Sequence, residues 1–209
     1  MMTNNDLELK KQISELSEEF ILRKSHLKFA FEECKQKVTK WQSSLGESLE
    51  LTPFENLIPN ISNKQSRTLT NPTQAQLKSK RLMKYGFDKN DAPIISIGRP
   101  HEDTNKFGEL IRLKSDNLIL SCQIFTNSHI EDRLLSITKI TNNNNSTHYL
   151  TVSPPYNWSS RTDLTCQNKI YKSSIMATSW HTQITYNFIY SEAGELEKIL
   201  IGDHLHWST

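Results

Sequence analysis

One strand–turn–strand phrase occurs twice in this chain, near both ends of its C-terminal two-thirds. The first copy runs Tyr85-Gly86-Phe87-Asp88-Lys89-Asn90-Asp91-Ala92-Pro93-Ile94-Ile95. The second runs Tyr186-Asn187-Phe188-Ile189-Tyr190-Ser191-Glu192-Ala193-Gly194-Glu195-Leu196-Glu197-Lys198-Ile199. Each places aromatic residues before a polar turn and β-branched residues after it, which is the pattern of a β-hairpin. Two such hairpins commit the region they bracket to short strands joined by tight turns.

The residues between them fit that commitment. Strand candidates recur at short intervals: Ile94–Ile97, Phe107–Lys114, Leu118–Phe125, Arg133–Ile140, Thr147–Val152, Ile170–Trp180, Gln183–Tyr190 and Leu196–Leu205. Turn residues separate them, as in Ser115-Asp116-Asn117 and the asparagine run Asn142–Asn145. Leu118, Leu120, Cys122 and Ile124 alternate onto one face. No second amphipathic helix is expected after residue 85. The expectation is an antiparallel meander, open or barrel-like.

The N-terminus has a different period. Leu9, Ile13, Leu16, Phe20, Leu27, Phe31, Cys34, Val38, Trp41 and Leu45 are spaced by fours and threes, as one stripe of a long helix requires. Lys24 interrupts the stripe as a stutter would, and Ser25-His26 is the soft spot for a break. Gly46 suits a helix C-terminus. This predicts one helix over 6–45, docked on its own domain, folded into a helical hairpin, or paired in a coiled coil through Leu9, Ile13, Leu16, Phe20, Leu27 and Phe31. Pro53, Pro59 and Pro72 then punctuate a polar run, with one short turn of helix expected at Thr73 to Leu82. The fold class is α+β: a helical or coiled-coil segment at 1–46, a polar linker at 47–84 and an antiparallel β domain at 85–209.

The chemistry is sparse. With 25 basic and 23 acidic residues the net charge is +2, too small for a nucleic-acid footprint. Cys34, Cys122 and Cys166 are widely spaced, with no C-x-x-C pair and no even disulfide set, which points to a reducing compartment. No secretion-signal pattern opens the chain and no stretch is apolar enough for a membrane span, so a cytoplasmic location is expected. Phosphate-cradling glycine motifs are absent from the sequence, and no cofactor is expected. His148, His181, Asp163 and Ser159 supply the residue types of a nucleophile–base–acid set, but no G-x-S-x-G elbow surrounds a serine. His204 and His206 share a strand face and are the weak metal candidates; a pair falls short of the ligands zinc needs. The loop Pro154-Pro155-Tyr156-Asn157-Trp158 joins a rigid backbone to two large aromatics, with Arg161 just beyond. Tyr156, Trp158 and Arg161 are therefore the candidate partner-binding residues.

The phrase Tyr190-Ser191-Glu192-Ala193-Gly194-Glu195-Leu196-Glu197-Lys198-Ile199 resembles the Y-D-x-x-G-x-L-x-x-I hairpins of bacterial YD-type repeats. Similar hairpins recur in β-rich immunity proteins of bacterial polymorphic-toxin systems. Phe87–Ile95 is a degenerate second copy, with Asp91 at the turn glycine's place; the copy at 190–199 has Ser191 where the motif has Asp. The resemblance implies a non-enzymatic protein-binding module that neutralises a toxin by steric occlusion, and it carries no catalytic residues. Two alternatives stand beside it: a scaffold that self-associates through the N-terminal helix, and a small-ligand-binding β-barrel or hydrolase.

Overall fold

The computed structural model describes residues 4–46, 51, 67–79, 81–98, 108–125, 131–167, 170–178 and 183–208. It begins with two helices, α1 (Asn4–Lys24) and α2 (Leu27–Gln36). Strands β1 (Lys40–Leu45) and β2 (Arg67–Leu69) follow, then the short helix α3 (Gln74–Leu77). The remaining strands are β3 (Leu82–Phe87), β4 (Pro93–Gly98), β5 (Glu109–Ser115), β6 (Leu118–Ile124), β7 (Arg133–Asn143), β8 (Ser146–Ser153), β9 (Trp158–Gln167), β10 (Ile170–Thr178), β11 (Gln183–Tyr190), β12 (Leu196–Ile201) and β13 (His204–Ser208). The chain divides into two compact units, one of residues 21–136 and one of residues 1–20 with 137–209.

In the unit of residues 21–136 the strands lie in the order β2-β1-β3-β4-β5-β6. Every neighbouring pair is antiparallel. Helix α2 packs on β4 and β5. It buries Leu27 and Cys34, and the Cys34 thiol donates to the Ile94 carbonyl at 3.4 Å. Tyr85, Ile95, Ile111, Ile119 and Cys122 form the most buried part of this core. A glycine makes the close approach behind the helix. A Cβ at Gly86 would lie 2.4 Å from Ile95 Cγ2 and 2.6 Å from Val38 Cγ2.

In the other unit the strands run in sequence order from β7 to β13. Among the described residues Ile137, Ile140, Leu150, Val152, Leu164, Tyr186, Phe188 and Ile199 are its buried apolar residues on the strands. β8 and β9 pair without a break in register, from Ser146 opposite Thr165 to Ser153 opposite Trp158. That regular register decides which polar side chains meet, because residues opposite each other share a face.

The fold is α+β with antiparallel strands, as the sequence implied, and several details differ. The long helix ends at Gln36 rather than 45. Val38, Thr39 and Trp41 favour extended backbone, and β1 gains ladder partners on both sides from β2 and β3. The break at Ser25-His26 is real: α1 stops at Lys24, beside the stutter. The stretch read as linker carries the short helix expected near Thr73, as α3, and in addition β2 and the start of β3, while 47–50, 52–66 and 80 lie outside the described residues. The final strand is two, β12 and β13, turning at Gly202-Asp203, with Gly202 at φ 59°. Trp158, read as the end of a loop, instead opens a ten-residue strand, β9, that includes Arg161. The strands do not close into a barrel: the first and last of each order are unpaired with one another. β2 and β13 are poor templates for a further strand. β2 has three residues, and β13 carries a register shift opposite Ile199/Leu200.

Candidate functional site

Strands β7, β8 and β9 bring together a polar cluster that neither its sequence spacing nor its composition announces. The β7–β8 hairpin turns at Asn144-Asn145 and sets Asn143 opposite Ser146. The β8–β9 register sets His148 opposite Asp163. Alternation puts Ser146 and His148 on one face of β8, and Arg161 and Asp163 on the same face of β9.

The side chains form a chain of hydrogen bonds. His148 Nδ1 lies 2.6 Å from Asp163 Oδ1. Arg161 Nε donates to the same oxygen at 2.8 Å. On the other side of the ring, Ser146 Oγ is 3.0 Å and Asn143 Nδ2 is 3.1 Å from His148 Nε2. An ionised carboxylate can only accept, so the neutral ring carries its proton on Nδ1 and donates it to Asp163. Nε2 is then the acceptor. The imidazole thereby presents a basic nitrogen toward Ser146. His148 and Asp163 side chains are each about a quarter exposed, at 26% and 25%, so the cluster is reachable from solvent.

The tip of the β8–β9 hairpin is a second feature. Pro154–Tyr156 makes a single 3-10 turn, closed by the Asn157 N–H donating to the Pro154 carbonyl at 3.1 Å. Asn157 takes a left-handed conformation, φ 47°, which asparagine tolerates better than most residues. The turn holds Tyr156 67% exposed and Trp158 36% exposed. The three residues singled out as partner-binding are thus only partly brought together. Tyr156 and Trp158 share the tip. Arg161 is three positions along β9, on the opposite face from Trp158, and its Nε is bonded to Asp163.

The other candidates are dispersed. Leu16, Phe20 and Leu27 are buried, and Leu9, Ile13 and Phe31 are half-buried, within this chain. The strongly exposed apolar residues around the helix break are instead Ile21, Leu22 and Phe29. On β13, His204 is exposed while the His206 ring packs edge-on against Tyr186 with centroids 5.2 Å apart. Among the described residues no group of three or more His, Cys, Asp or Glu side chains is placed to hold a metal ion. Burial pushes the Cys34 thiol up to about 11 and the Cys122 thiol up to about 12, so neither is a thiolate near neutrality. His181 and Trp180 lie outside the described residues.

Of the residue types weighed in the sequence, the structure brings His148 and Asp163 together and places Ser159 elsewhere. Ser159 sits on β9 opposite Val152, whereas the serine on the imidazole is Ser146. The available signal was the Asn142–Asn145 turn: a hairpin there places Ser146 and His148 on one face. The missing piece was β9, whose polar sequence concealed a strand.

No helix among the described residues is long and apolar enough to cross a membrane. No protein-family model, curated protein or solved structure matches this chain.

Proposed function

We propose that this chain is a protein-binding module that engages its partner through the tip of the β8–β9 hairpin. The observation that carries this reading is the presentation of Tyr156 and Trp158 on a turn stiffened by Pro154 and Pro155. Large aromatics that cost little entropy to immobilise make effective interface anchors, and the two prolines reduce the freedom lost on binding. The hairpin resemblance suggests the kind of partner: a toxin whose working surface the module would occlude. Occlusion needs contact area and no catalytic step.

The test is co-purification from the native host or with the product of a neighbouring gene. The wild-type chain is expected to retain one defined protein partner, and a Y156S/W158A variant of unchanged circular dichroism to lose it. Retention of the partner by that variant, or failure of the wild-type chain to hold any protein, would count against the reading. Relief of growth inhibition on co-expression would identify the partner as a toxin.

Self-association is a second reading, favoured by Ile21, Leu22 and Phe29 standing exposed around the helix break. Light scattering on the intact chain tests it, and a monomeric mass ends it.

A further inference from the structure

We propose that Ser146 is an activated nucleophile, with His148 as its general base and Asp163 as the group that orients the base. This goes beyond the binding reading and does not rest on it. Three relations support it. Ser146 Oγ is within hydrogen-bond reach of His148 Nε2, at 3.0 Å. Nδ1 of the same ring is 2.6 Å from a carboxylate. The proton donated from Nδ1 to that carboxylate leaves Nε2 of the neutral ring as the proton acceptor. Nucleophile, base and orienting acid in this order are the geometric signature of an activated hydroxyl, whatever their order in the chain.

Arg161 and Asn143 tune the arrangement in opposite directions. Arg161 Nε donates to Asp163 Oδ1, so the carboxylate is held in place from two sides. The Asn143 amide competes with the serine hydroxyl for the single Nε2 lone pair. Asn143 is therefore expected to restrain the serine, and removing its amide to release it.

The group transferred is an acyl or phosphonyl group on a good leaving group, presented from outside to a site about a quarter exposed. In the acyl case Ser146 Oγ bonds to the carbonyl carbon of an ester. The Oγ proton passes to His148 Nε2, the bond to the alcohol oxygen breaks, and that proton leaves with the alcohol. Water then adds to the acyl-Ser146 ester, giving its proton to Nε2 and releasing the carboxylic acid and the serine hydroxyl. With a fluorophosphonate the first step alone occurs: phosphorus bonds to Oγ and fluoride departs with the proton.

The experiment treats the full chain with a fluorophosphonate probe and locates the adduct by peptide mass spectrometry. Ser146 is expected to be labelled in the folded chain and not in urea. General-base loss typically costs about a hundredfold or more, so H148Q should lower the labelling rate by about that factor. N143A should raise it. D163N exchanges the tautomer preference and should also slow it. Circular dichroism of each variant separates chemistry from unfolding. Two results would overturn the proposal: no adduct on Ser146 in the folded wild-type chain, or labelling at equal rates in wild type and a folded H148Q. A network that only staples β7, β8 and β9 together would leave the serine inert in every variant.

Discussion

Asp91 and Gly194 occupy the same position of the same turn. Asp91 has φ 56° and Gly194 φ 80°, both in the left-handed region. The Asp91 N–H donates to the Asp88 carbonyl at 3.1 Å, and the Gly194 N–H to the Ser191 carbonyl at 2.9 Å. The Asp88 N–H reaches the Ala92 carbonyl, and the Ser191 N–H reaches the Glu195 carbonyl. Both hairpins shift register at the equivalent step, between Gly86 and Phe87 and between Ile189 and Tyr190. The aspartate therefore adopts a conformation that glycine reaches at no steric cost.

Asp91→Gly is thus expected to stabilise the chain by a few tenths to about 1 kcal/mol, by relieving the left-handed residue. The gain is limited by the added entropy of the unfolded glycine. Its ion pair with Lys40 at 3.9 Å is exposed and subtracts little. Gly194→Ala should destabilise by about 1 kcal/mol. Urea midpoints of the two variants against wild type check both signs.

Asp88 anchors the first turn with its side chain. Its Oδ1 accepts from the Ala92 N–H at 3.0 Å and the Asn90 N–H at 2.9 Å. Those backbone donors, Ala92 first, hold its carboxyl below the ordinary aspartate value. A lowered folded value means the stabilisation is complete above the unfolded pKa and is lost as pH falls through the folded one. Stability should therefore decline on acidification below about pH 4. Asp88→Asn should flatten that part of the profile, measured by urea titration at successive pH values.

Gly86 is a packing position. Its hypothetical Cβ would lie 2.4 Å from Ile95 Cγ2 and 2.6 Å from Val38 Cγ2, inside the core under α2. Gly86→Ala should cost about 1–3 kcal/mol, the usual range for overpacking. The double variant Gly86→Ala with Val38→Ala should recover part of that loss, since one of the two clashes is removed. Thermal melts of the single and double variants decide it.

Burial pushes the thiols of Cys34 and Cys122 up to about 11 and about 12. Alkylation proceeds through the thiolate. Brief treatment of the native chain with iodoacetamide at pH 8 should leave both unmodified, and both should react in urea. Peptide mass spectrometry reads each site separately, and native modification of Cys122 would contradict its burial.

Tyr156 should matter to binding and hardly at all to folding. At 67% exposed, its replacement by alanine is expected to change stability by no more than about 0.5 kcal/mol. A much larger loss in urea unfolding would mean the ring supports the hairpin.

The framing hairpins were legible in the sequence because a tight turn is a local object. Turn chemistry at Asp88–Asp91 and Ser191–Gly194, with aromatic residues before and β-branched residues after, determines it within a few residues. The same locality made the strand faces around Leu118–Ile124 readable, and the break beside Lys24. Where local signals were balanced, pairing decided. Residues 38–45 kept a helical spacing of apolar positions, yet β1 gains a ladder on both sides, from β2 and β3. The polar stretch at Trp158–Gln167 stands outside the strand candidates of the sequence, yet β8 and β10 hydrogen-bond it on both sides. The Ser146–His148–Asp163 cluster depends on that same strand. Its members come from two strands, and only a register unbroken from Ser146 to Ser153 puts the carboxylate on the imidazole. The sequence by itself determined the turns and the antiparallel, two-residue period of the strands. Tertiary structure alone decided which strands pair, in what register, and hence which side chains meet, because register is set by non-local hydrogen bonds and burial rather than by neighbours along the chain.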